Sequence, residues 1–195
     1  MRVRKLIWIM YGLSSIWVLS GCQTGKNTEQ CASDFFKELK HYEAVATISF
    51  LKDKQPNTIK MKQIAQEDGK YEMILIEPDH LKGTSYKYDG QKLMAYYDVL
   101  DQTVEQKVSI AQNEVLLTSF AKRYVSSEHI KKQEVQLNGN KMITYEVPIE
   151  GNFKYLSKEK IWLEEKNLTP VQLVLYDDEG NITMEVIYDE VKYNF

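Results

Sequence analysis

Histidine and cysteine are scarce in this chain, and their spacing excludes the usual chemistry of either. Three histidines and two cysteines occur among 195 residues. His41, His80 and His129 stand at no metal-ligand spacing from one another, and no cysteine pair supports them. They read as surface or packed histidines. No Gly-x-Ser-x-Gly elbow and no glycine-rich phosphate loop is present, and Ser126-Ser127 has no recognisable base partner. No catalytic residue, metal ligand or cofactor site emerges. With 9 glycines and 4 prolines there is no low-complexity segment and no linker long enough to split a domain. Basic residues are also in short supply. The 25 Lys and Arg against 28 Asp and Glu leave a formal charge of −3, which speaks against a nucleic-acid partner.

The basic residues that do occur early are grouped. Arg2, Arg4 and Lys5 precede a mostly apolar run from Leu6 to Leu19, which is shorter than the roughly 20 residues of an easy bilayer span. Leu19-Ser20-Gly21-Cys22 then ends the run and resembles a bacterial lipobox. The resemblance implies a lipoprotein signal peptide over residues 1–21, cleavage before Cys22, and diacylation of the Cys22 sulfur. An uncleaved N-terminal anchor is the competing reading, and both place the domain outside the cytoplasmic membrane. Residues 1–21 carry three basic residues and no acid, so their removal takes the formal charge from −3 to −6. Such a domain adheres poorly to anionic lipid, and its membrane attachment rests on the acyl chains. An acylated Cys22 leaves Cys31 without an intramolecular disulfide partner, whereas an unacylated one allows a Cys22–Cys31 bridge. Residues 22–32 read as the lipidated cysteine and a flexible tether, and residues 33–195 as one domain.

Within that domain the period of hydrophobicity alternates between two and 3.6. Ser33 and Asp34 suit a helix start, and Phe35, Phe36 and Leu39 share one face of a helix over about 33–42. Period-two stretches follow over 43–51 and 58–66, the latter with Ile59 and Met61 inward. The span from Lys70 to Ile110 holds four successive strands joined by turn signals such as Pro78-Asp79 and Asp89-Gly90. There is no room for parallel crossovers, so this is an antiparallel meander. Asn113–Ser127 carries two adjacent apolar stripes, Leu116, Phe120, Tyr124 and Leu117, Ala121, Val125, with Lys122 and Arg123 on the opposite side. Strands resume over 131–137 and 141–149 around Asn138-Gly139, then around Ile161 and Leu163, over 171–176, and over 182–188. The expectation is an α+β domain: about eleven antiparallel strands and two main helices.

The carboxylates Glu72, Glu77, Asp79, Glu146, Glu150, Glu164 and Glu165 fall on strands or turns and read as a solvated face, not as a glycosidase pair. Most of the 13 tyrosines alternate along strands, where aromatics pack against neighbours.

In this order the elements resemble the Lol-type lipoprotein carrier superfamily, and more closely the clostridial spore-germination lipoproteins of the GerS type. The residues that carry the likeness are Lys70-Tyr71-Glu72-Met73, Glu77 to Gly83, Tyr88 to Lys92, Lys160-Ile161-Trp162-Leu163 and Leu175 to Asn181. The resemblance implies an incomplete barrel wrapped around helices. It also implies a non-enzymatic lipoprotein on the outer face of a cytoplasmic-type membrane of the forespore or spore. Its partner would be a CwlD-type N-acetylmuramoyl-L-alanine amidase that begins muramic-δ-lactam formation in the cortex, a modification that germination enzymes recognise. A lipid- or lipoprotein-binding carrier with a hydrophobic cavity is the alternative. The lipobox departs from the soluble Lol carriers.

In a sheet that does not close, the last strand is expected to expose unpaired backbone groups to a partner. On this reading Ile182, Met184, Val186 and Tyr188 face the core, and Thr183, Glu185 and Ile187 form the partner-binding side. Exchange of that strand between two copies would give a strand-swapped homodimer.

Overall fold

The computed structural model describes residues 28–51, 57–66, 68–108, 113–151 and 153–194. The expected signal peptide, Cys22, the turn around Pro56 and Ile110 lie outside the described residues.

Eleven strands form one antiparallel sheet, and two helices fill its concave side. The first helix, α1, is Thr28–Glu38. Six strands follow: β1 His41–Phe50, β2 Asn57–Gln66, β3 Tyr71–Glu77, β4 Ser85–Tyr88, β5 Leu93–Tyr97 and β6 Gln102–Gln106. The second helix, α2, is Leu117–Ser126. The return strands are β7 Lys131–Leu137, β8 Asn140–Pro148, β9 Lys158–Glu164, β10 Pro170–Tyr176 and β11 Ile182–Asn194. The spatial order β6-β5-β4-β3-β2-β1-β11-β10-β9-β8-β7 makes two meanders that meet at β1 and β11. The chain runs outward to one edge, crosses by way of α2, and returns from the other edge. The sheet stays open, with β6 and β7 at its ends, as the family resemblance implies.

Local chemistry accounts for the hairpins. Asn138 and Gly139 adopt positive φ, 51° and 81°, as a two-residue type I′ turn requires. Asp177 Oδ1 accepts from the Glu179 and Asn181 amides at 3.0 and 2.7 Å, which closes the β10–β11 turn. The inward residues of successive strands then share one core. Phe36 of α1 packs on Phe120 and Tyr124 of α2 with ring centroids 5.3 and 4.7 Å apart, and Tyr124 meets Tyr145 of β8 at 5.1 Å. These rings occupy the concave side of the sheet.

Both ends of the first helix differ from expectation. The first helix starts at Thr28 rather than at about 33, so Thr28–Ala32 is not tether. Gln30 Nε2 donates to Asp34 Oδ1 at 2.8 Å one turn on, and Ala32 is fully buried. The helix also ends at Glu38, because from His41 the chain pairs with β2 on one side and β11 on the other. That two-sided ladder outweighs local helical propensity.

The start of α2 is held by tertiary contacts. Its N-cap position, Leu116, offers no side-chain cap. Instead the Tyr42 phenol accepts from the Leu117 amide at 3.0 Å and donates to Gln63 Oε1 at 2.9 Å. Gln63 Nε2 in turn donates to the Val115 carbonyl at 3.3 Å. A buried Tyr–Gln pair from β1 and β2 thus satisfies backbone groups that the helix leaves open.

Candidate interaction site

The expectation that the last strand stands at an open edge of the sheet requires a correction. β11 pairs with β10 over Ile182–Ile187 and with β1 over Met184–Asn194, so the stretch that carries Thr183, Glu185 and Ile187 lies inside the sheet and not at its edge. The N-terminal strand closes against the C-terminal one, which local sequence pattern does not reveal. Exchange of β11 between two copies as an unpaired edge strand loses the same motive.

The residues named on β11 alternate as expected but do not all behave alike. Met184, Val186 and Tyr188 are buried, while Ile182 is 42% exposed because the register with β10 slips between Leu175 and Tyr176. Thr183, Glu185 and Ile187 lie on the convex side and are half-buried. The Thr183 hydroxyl donates to the Tyr155 carbonyl at 3.0 Å, with the Leu175 carbonyl at 3.3 Å. Thr183 therefore pins the loop before β9. Glu185 accepts from Gln172 Nε2 on β10. Ile187 sits between Thr47 and Gln172, an apolar side chain flanked by polar ones at the centre of the sheet.

The histidines remain apart, at the start of β1, in the turn after β3 and after α2. Among the described residues no group of three His, Cys, Asp or Glu is placed to hold a metal ion. Of the expected surface carboxylates, Glu146 accepts from Lys131 at 3.2 Å and from Lys158 at 3.3 Å. Those two ammonium groups hold its carboxyl below the usual range, although burial works against them.

One charged cluster escaped the sequence reading. Arg123 is mostly buried, with its side chain 18% exposed. Its Nε donates to Glu159 Oε1 at 2.9 Å, and Nη1 donates to Glu114 Oε2 at 2.6 Å; Nη2 also contacts Glu114. Glu159 on β9 has no exposed surface, and its Oε2 has no hydrogen-bond partner. Burial pushes the Glu159 carboxyl from 4.5 to about 8; Arg123 opposes the shift and Glu114 adds to it. Burial raises Glu114 as well, again against Arg123. One guanidinium therefore serves two carboxylates, and with a proton on Glu159 the cluster is close to neutral. A signal was present: Glu159, Ile161 and Leu163 share the inward period of β9, and Arg123 follows Phe120 by three residues at the border of the apolar stripe. The other stripe ends early, since Val125 is 46% exposed.

A family model described as "Sporulation protein YdcC-like" matches residues 3–195. A comparison with curated proteins finds no match. Among solved structures, a chain in the CwlD amidase from Clostridioides difficile in complex with the GerS lipoprotein is similar. It is 23% identical over 87% of this chain and 97% of that one, with a TM-score of 0.53. An uncharacterized conserved protein from Thermus thermophilus is 11% identical over 86% of this chain and 88% of that one, also at 0.53. A LolA superfamily protein from Nitrosomonas europaea is 11% identical over 87% of this chain and 95% of that one, at 0.44, too distant to carry an argument. At these identities the likeness to the first two is one of fold.

Proposed function

The chain belongs to the YdcC-like sporulation proteins, and on that premise we propose that it is a membrane-tethered, non-enzymatic accessory protein of the spore cortex. It binds and activates a CwlD-type N-acetylmuramoyl-L-alanine amidase in muramic-δ-lactam formation, and is thereby needed for germination. Diacylated Cys22 holds the domain on the outer face of a forespore membrane. The observation that carries this reading is the family match over residues 3–195. It is supported by a fold shared with a chain from a complex of an amidase and a lipoprotein. The aromatic packing of α1 and α2 against the sheet supports an accessory role over that of an acyl-chain carrier, because a carrier needs that space open.

Co-expression of the tagged full chain with the amidase tests the proposal. The expected result is co-capture after detergent extraction, with amidase activity higher than that of the amidase alone. Cys22→Ala should abolish incorporation of a palmitate analogue. Substituting Ile187 by Lys on the convex face should weaken capture; this position is a cleaner probe than Thr183, which anchors a loop. Absence of co-capture and of any rise in activity would sink the amidase reading. Acyl chains co-purifying with the protein would favour the carrier instead.

A further inference from the structure

The two open edges of the sheet are protected very differently. β7 carries Lys131, Lys132 and Glu134 along its seven residues, and lysines on an edge strand discourage another chain from pairing. β6 is Gln102-Thr103-Val104-Glu105-Gln106, exposed at every position, with Glu105 its one charged residue and no lysine. Beside it lie the two most exposed large apolar side chains among the described residues, Val99 at 79% and Leu100 at 63%. Val104 and Val108 are exposed as well. Val104 lies opposite Ala95 of β5, on the face of the sheet where Ala95 is fully buried. An unguarded edge flanked by exposed apolar groups is a template for a further strand.

We propose that this strand is β6 of a second copy of the chain, added antiparallel across a twofold axis at Val104. The sequence is complementary to itself in that register. Val104 faces Val104, Gln102 faces Gln106, and Thr103 faces Glu105, so no like charges stand directly opposite. An antiparallel ladder accepts a residue paired with its own copy at either type of site, hydrogen-bonded or not. Two eleven-stranded sheets become continuous, and each chain keeps all of its own strands. The contact adds strands without exchanging any, and it stands independently of the amidase reading.

Full-length chains with two different tags, co-expressed and extracted in mild detergent, provide the test. The expected result is mutual capture. The full chain with Val104→Cys should form a disulfide-linked dimer on mild oxidation, while Lys132→Cys on the other edge should not. Val104→Lys should abolish self-capture, because two like charges then oppose each other at the axis. Pairing Val104→Lys copies with Val104→Glu copies should restore it, which separates a lost contact from misfolding. Wild-type copies that fail to capture one another would overturn the proposal. So would Val104→Lys copies that still self-associate, or equal cross-linking at both edges. Loss of amidase capture in Val104→Lys without any self-capture of the wild type would assign the edge to a foreign strand.

Discussion

α2 is held to the sheet by two sides of different chemistry. On one side Phe120 and Tyr124 stack among Phe36 and Tyr145. On the other Arg123 grips Glu114 and Glu159. The first side draws on apolar burial, which is insensitive to protons. The second sets two carboxylates in a desolvated place with one cation between them, and its worth depends on pH. The difference teaches that one short helix is fastened both by a contact that protons leave alone and by one that they tune.

The largest effect is expected on the apolar side. Phe120→Ala should cost roughly 3–5 kcal/mol, as truncation of a fully buried aromatic does. Urea melts should show the same loss at pH 5 and pH 8. A loss below about 1 kcal/mol would mean that the rings are not a packed core, and the comparison would collapse.

Removal of the cation should come next. Arg123→Met should cost about 3 kcal/mol at pH 8, the low end for breaking a buried ion pair, because Arg123 and Glu114 retain some exposure. At pH 5 the loss should be smaller, since the carboxylates left behind take up protons. An equal loss at both values would mean that Arg123 acts through packing alone.

The smallest and most specific effect concerns Glu159. Its folded pKa lies above its ordinary value, so the folded state binds the proton more tightly than the unfolded chain does. The stabilisation is fully present below about 4.5 and is lost as pH rises toward about 8. Glu114 shifts in the same direction. Glu159→Gln removes that dependence, so the variant should gain on the wild type as pH is raised through this window. Parallel stability curves would show that Glu159 is ionised throughout and would remove the contrast between the two sides.

Much of this architecture was legible because its causes are local. Asn138-Gly139 specifies a type I′ hairpin whatever surrounds it, since few residue pairs tolerate two positive φ values in a row. The period-two runs of β1, β2 and β3 marked strands whose alternate residues share a face, and burial follows that alternation. The stripe Leu116, Phe120, Tyr124 marked the face of α2 that is buried. The candidate surface was less legible. Alternation placed Thr183, Glu185 and Ile187 on one side of β11 but carried no information about its neighbours.

The sequence by itself therefore determined the strands, the two helices, the inward faces, the tight turns and the antiparallel character of the sheet. Each of these depends on residues within a few positions of one another. Only the tertiary structure decided that β11 lies between β1 and β10, so that the free edges fall on β6 and β7. It alone brought Arg123, Glu114 and Glu159 together from α2, the segment before it and β9, and made Tyr42 of β1 the cap for Leu117. These pairings span between nine and 75 positions in the chain. They form because closing the long loops is repaid by the burial of the whole sheet face, a gain that no short stretch can signal alone.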